Sequence, residues 1–198
     1  MSQGRTGRAR PYRMSKRAED VDETRQRIIE ATVRLHTTIG AARTTISAIA
    51  EKAGVTRLTV YRHFPSVEEL FASCSRHWMS QHPRPAVAAW TKIDPPKQRV
   101  RRALIELYSW FNENADDQFV LRRDVDAMPE WAAAGMHAAD AQAAEALVAG
   151  TELRGAARRR QRAAAGHAVS YETWRSLVID QGLGIDEAAD LMTKLLFR

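Results

Sequence analysis

One cysteine, Cys74, stands in 198 residues, so no intrachain disulfide can close and no multi-thiolate zinc site can form, and a reducing compartment is the expectation. No stretch approaches the roughly 18 consecutive apolar residues of a membrane span. With 44% apolar residues and a mean hydropathy of −0.43, the apolar positions must be spread along amphipathic segments, which predicts a soluble chain. The basic N-terminus is followed by no apolar core of the kind a secretory signal needs, so the cytoplasm is the expected address. Catalytic constellations are also missing. The six histidines show no His-Glu-x-x-His spacing, Cys74 has no evident base partner, and there is no phosphate-binding glycine loop. The sequence therefore predicts no enzyme, no metal and no cofactor.

What is present is positive charge, unevenly placed. The formal charge is +6, and residues 1–75 hold thirteen basic residues against eight acidic ones, so nearly all the excess lies in the first part of the chain. Residues 1–17 contain Arg5, Arg8, Arg10, Arg13, Lys16 and Arg17 and no acid, a composition that cannot bury a core. A flexible basic arm over 1–18 is the reading, and a polyanion is the partner it would suit.

Apolar residues recur at three and four residues throughout, as in Ile28, Thr32, Leu35 and Ile39, or Leu70, Phe71, Cys74 and Trp78. This is the period of helices, and no strand pattern competes with it. Gly40, Gly54 and the Phe64-Pro65-Ser66 step divide the first 80 residues into four helical pieces, with Ser66 and Glu69 spaced as a capping box. Four prolines between Gln81 and Pro96 mark a connection. Beyond it, one stripe runs from Val100 to Phe111, an Ala-rich helix from Pro129 to Ala149, a long helix from Arg158 to Gln181, and a last one from Ile185 to Phe197. The expectation is an all-α chain of about nine helices.

The segment from Thr45 to Phe64 compresses a helix, a glycine turn and a second short helix into twenty residues, which is helix-turn-helix spacing. Ala50 is small where two helices must cross, and Gly54 can take the positive φ of a tight turn. On the second helix Arg57, Thr59, Tyr61 and His63 can reach base edges and phosphates, Arg57 can pair bidentately with guanine, and Leu58 can touch a thymine methyl. Thr45 and Ser47 open the preceding helix, where hydroxyls and backbone amides suit a phosphate. Taken singly, each has a plainer reading: core aromatics, solvated cations, ordinary caps. It is their joint spacing that points to DNA.

Ala-Glu-Lys-Ala-Gly-Val-Thr56, followed by Val-Tyr-Arg-His-Phe-Pro-Ser-Val-Glu-Glu-Leu70, resembles the DNA-binding segment of TetR-family transcriptional regulators, over about Glu23 to Cys74. The resemblance implies that Thr45, Ser47, Tyr61, His63 and Ser66 meet the DNA backbone or frame the recognition helix, with Arg57, Leu58 and Thr59 nearest the bases. Val67 departs from it, standing where the family often has lysine. Arg13, Lys16 and Arg17, just before the first helix, would follow the backbone or enter the minor groove. The implied division is a helix-turn-helix domain over 19–66 and an effector-binding and dimerisation domain over 67–198.

For an effector pocket the candidates are Trp78, Tyr108, Phe111, Trp131, Met136, His167, Tyr171 and Trp174, because aromatic and Met side chains with a few polar tips suit an apolar organic ligand. The spacing of His167, Tyr171 and Trp174 places them on one face of the expected long helix. Leu177, Val178, Leu191, Met192, Leu195 and Leu196 are more large apolar groups than two terminal helices need beside water, and a homodimer contact would bury them. The expected function is a dimeric, sequence-specific regulator, a repressor released from a palindromic operator by a small apolar or aromatic ligand. The alternative is a DNA-binding regulator that is constitutive or controlled by a protein partner.

Overall fold

The computed structural model describes residues 9–197, with side chains from residue 19 onward. Every regular element among them is helical. The chain divides into two compact units, Met1–Gln81 and His82–Arg198.

In the first unit α1 spans Ala9–Thr38, α2 Ile46–Ala53, α3 Arg57–His63 and α4 Val67–Gln81. The backbone of α1 starts inside the segment expected as an arm, while residues 1–8 and the side chains of Arg13, Lys16 and Arg17 lie outside the described residues. Ile28, Ile29 and Ala31 of α1, Ile49, Ala50 and Ala53 of α2, Val60 of α3, and Leu70 and Cys74 of α4 form one buried cluster with Phe64. Spacings of three and four put those residues on one stripe of each helix, so burying the stripes together fixes the bundle. Thus α4, which the sequence reading placed in the second domain, packs its Leu70 and Cys74 within the first unit.

The second unit begins with the short α5, Val87–Trp90, inside the proline-rich connection, and continues with α6, Pro96–Glu113. Proline suits the first turn of α6, where a missing N–H costs no intrahelical bond. Val100, Leu104, Leu107, Tyr108 and Phe111 line its fully buried side. Then come α7, Ala115–Arg123, α8, Glu130–Leu147, α9, Gly155–Ala168, α10, Tyr171–Trp174, and α11, Ile185–Leu196. Arg99, buried on α6, donates to the carbonyls of Ile93 and Ala149 and so fastens the chain on either side of that helix. Arg101 of α6 pairs with Asp186 at 3.0 Å and Asp190 at 2.5 Å on α11.

The described residues form eleven α-helices rather than about nine, and one cause is specific. The long helix expected from Arg158 to Gln181 is interrupted at Val169 and Ser170. Ser170 is extended, its hydroxyl accepts the Thr173 amide at 3.2 Å, and Thr173 Oγ1 donates to the His167 carbonyl at 2.6 Å. These bonds end α9 and start α10 as a separately capped helix, which runs directly into a π-helical turn over Arg175–Asp180. His167 and the pair Tyr171 and Trp174 therefore do not share one continuous helix.

Candidate nucleic-acid interface

Thr45 is the N-cap of α2, its hydroxyl oxygen accepting the Ala48 amide at 3.1 Å. Its hydroxyl hydrogen remains available to an outside acceptor such as a phosphate oxygen. Ser47 is exposed in the first turn beside it. The helix stops at Gly54, whose φ of 67° is left-handed, and the Val55 amide closes the turn on the Ala50 carbonyl at 2.9 Å. The half-buried Val55 packs against the core behind the turn.

Thr56 then caps α3. Its oxygen accepts the Thr59 amide at 3.2 Å and lies 2.9 Å from the Thr59 hydroxyl. Thr56 is absent from the residues singled out in the sequence, although Thr56-x-x-Thr59 is legible as a cap once the helix start is fixed. Val60 and Phe64, four apart and each 1% exposed, root α3 in the core. The opposite side is open: Arg57, Leu58, Tyr61 and Arg62 are exposed, with Leu58 at 78%. Thr59 and His63 are half-buried at its edges. Ser66 is exposed and caps α4 by accepting the Glu69 amide at 3.1 Å, and the adjoining Val67 is exposed.

No acidic residue lies on α3, and Arg57 and Arg62 give its outer side a positive potential that suits a polyanion. Burial, then the charges of Arg62 and Arg25, hold the His63 imidazole below its ordinary value. Arg25 of α1 braces this end of α3, lying over the Phe64 ring and bonding Ser73 Oγ at 3.3 Å.

In the second unit, three of the pocket candidates meet. Phe111, Tyr171 and Trp174 have ring centroids 5.2–5.7 Å apart. Arg122 stacks over Tyr171 at 5.0 Å and Phe111 at 5.6 Å. Tyr108 is buried but engaged, its hydroxyl donating to the Ala168 carbonyl at 2.7 Å, and burial raises its ionisation far above the usual phenol range. Trp131 is exposed on α8, Met136 half-buried on the same helix, and His167 exposed at the end of α9. Trp78 is half-buried on α4 of the other unit. Arg84 and Asp140, unmarked in the sequence reading, sit beside the cluster. Their ion pair at 3.0 Å joins positions 56 residues apart, so no local pattern announces it.

Of the interface candidates, Leu191 and Leu195 are exposed and Leu177, Val178 and Leu196 half-buried. Met192 differs. It is 6% exposed, on the side of α11 that carries the buried Ala188 and Ala189, so it belongs to the core of the second unit. Ile179 and Phe197 join the exposed apolar set.

Comparison with known proteins places this geometry. The model of bacterial regulatory proteins of the tetR family matches residues 28–74. The HTH-type transcriptional regulator TtgR of Pseudomonas putida is 38% identical over 93 residues, 46% of this chain and 44% of that protein. AcrR of Shigella flexneri is 39% identical over 57 residues, 29% of this chain and 26% of that protein. These matches span less than half the length of either relative. The fold extends further than the sequence match. A TetR-like transcriptional regulator from Rhodococcus sp. RHA1 superposes with a TM-score of 0.61 at 23% identity, over 88% of this chain and 94% of that one. NalD, the secondary repressor of the MexAB-OprM multidrug efflux pump in Pseudomonas aeruginosa, gives 0.56 at 22% identity, over 91% and 96%. Residues 28–74 thus form a helix-turn-helix segment of the tetR-family type, and the chain shares its all-helical fold with solved TetR-like structures.

Proposed function

We propose that the chain binds a roughly palindromic duplex operator as a two-fold homodimer, with α3 in the major groove, and represses transcription until a small apolar or aromatic ligand releases it. The observation that carries the reading is the two-sidedness of α3: Val60 and Phe64 hold it from within, while Arg57, Leu58 and Tyr61 are left to solvent. A seven-residue helix can present only a few side chains to base edges, so two copies on one face of the duplex supply the missing affinity and specificity. Thr45, Ser47 and Ser66 would hold phosphates at its flanks, and Arg13, Lys16 and Arg17 would add charge along the backbone. Ile179, Leu191, Leu195 and Phe197, exposed in the single subunit, are the apolar surface that pairing would cover.

Selection of duplexes from a random pool by the purified chain, followed by anisotropy titration at low and moderate salt, tests the DNA reading. Enrichment of a palindrome is expected. Equal affinity for every duplex, or none at low salt, overturns it. Sedimentation of the free chain tests pairing. Release separates the two regulatory readings: a ligand that raises thermal stability and lowers operator affinity supports a sensor. Operator affinity indifferent to every stabilising ligand would leave a constitutive or partner-controlled regulator.

A further inference from the structure

Buried polar tips in the second unit generally have partners. Trp90 Nε1 donates to Glu106 at 2.7 Å, Trp110 Nε1 to the His82 carbonyl at 3.2 Å, and Tyr108 to Ala168 at 2.7 Å. Three buried side-chain nitrogen or oxygen atoms among the described residues have none, and two of them, Arg122 Nε and Trp174 Nε1, belong to the same aromatic cluster. Trp174 is 1% exposed, so bulk water does not reach its indole N–H. A buried donor without a protein acceptor is costly, and an acceptor brought by a bound molecule would relieve that cost.

The local charge says which kind. Asp140 is the carboxylate shared by two guanidiniums, Arg84 at 3.0 Å and Arg122 at 3.5 Å, so these three groups carry a net +1 in a largely enclosed setting. Arg122 is also stacked over the Tyr171 and Phe111 rings, which puts a cation and aromatic surface side by side, a pairing that suits an aromatic anion.

We infer that Arg122, Trp174 and the Phe111–Tyr171 pair form a binding site for a planar aromatic carboxylate, whose oxygens accept from Arg122 and from the Trp174 indole. The inference rests on the ligand-responsive reading above and assigns its ligand a chemical class. Aromatic surface alone would accept neutral and anionic guests alike. The two unpartnered donors and the surplus charge make the carboxylate the preferred group.

The test uses the full chain with 2-naphthoate and its neutral counterpart 2-naphthylmethanol, followed by calorimetry and by the Trp174 indole N–H resonance. Binding of naphthoate roughly tenfold tighter than of the alcohol is expected, as for one charge-assisted hydrogen bond, with a downfield shift of that indole proton. Arg122→Gln should abolish the preference and Arg122→Lys should retain part of it. Absence of naphthoate binding, equal affinity for the two probes, an unshifted indole proton, or a preference that survives in Arg122→Gln overturns the proposal. Should Arg122→Gln fail to fold by circular dichroism, the wild-type preference and indole shift decide. Duplex binding without probe is measured in parallel: its failure alongside naphthoate binding would sink the regulator reading, and the converse would sink only this site.

Discussion

The Arg25 guanidinium lies 4.5 Å from the centroid of the Phe64 ring, so a cation from α1 covers the aromatic residue that ends α3. Glu69 stands 3.9 Å from the same guanidinium. One side chain thus touches the end of α3 and the start of α4. Arg25→Met should cost about 0.5–1 kcal/mol in urea unfolding, the range for an exposed cation–π contact. It should also let the His63 titration rise toward its ordinary value, because Arg25 is one of the charges that depress it. An unmoved His63 proton titration by NMR would remove Arg25 from that role.

On the proposed reading, His63 would give DNA binding a pH dependence of definite sign. In the free protein its depressed value keeps the ring neutral near pH 7, so this group adds to stability above its ordinary 6.5 and subtracts as pH falls below it. A phosphate placed beside the ring would favour the charged form. Operator binding would then take up a proton, and affinity should rise as pH falls toward 6. His63→Gln should flatten that rise, measured by anisotropy at fixed ionic strength. A profile unchanged by the substitution would place His63 away from the phosphates.

Arg57→Ala should weaken the selected operator by ~1–3 kcal/mol with lost discrimination at one base pair, if it reads guanine. Uniform weakening on all duplexes, with a shallower salt slope, would instead assign it to a phosphate.

Gly54 is left-handed, and a Cβ there would meet nothing within 4 Å. Its cost is therefore pure backbone strain. Gly54→Ala should destabilise the first unit by ~1–2 kcal/mol and Gly54→Asn by less, since asparagine tolerates this conformation. Equal midpoints for the three proteins in urea would contradict the turn.

Cys74 is 3% exposed. Burial pushes its thiol up to about 12, and the sulfur lies 3.1 Å from the Phe71 carbonyl. An aromatic disulfide reagent should leave the native protein unmodified and react fully in denaturant, making the thiol a reporter of opening in the first unit. Rapid native modification would show that α4 frays from α1.

The first unit was legible because its signals are local. Thr45, Gly54 and Ser66 each act on atoms within five residues, so their side-chain identity announces the structure they make. The second unit was legible in class but not in detail. Val169 and Ser170 carry no glycine or proline, and the break between α9 and α10 depends on the Thr173 hydroxyl reaching back to His167. Periodicity identified the amphipathic side of α4 without saying which unit it would pack within. For α11, apolar character could not separate the inward Met192 from the outward Leu191 and Leu195, because which side meets a neighbour is decided by packing against α6. The Arg84–Asp140–Arg122 group joins a loop to two helices, α7 and α8, and has no sequence signature.

Because Val60 and Phe64 do the anchoring of α3 while Arg57, Leu58 and Tyr61 stay in solvent, fold and, on the proposed reading, address are encoded on separate positions of one short rod. Exchanges at the outward positions leave the inner seam intact, so such a chain can acquire a new target sequence by drift without first becoming unstable. Libraries randomised at those three sites should retain folded members in most clones.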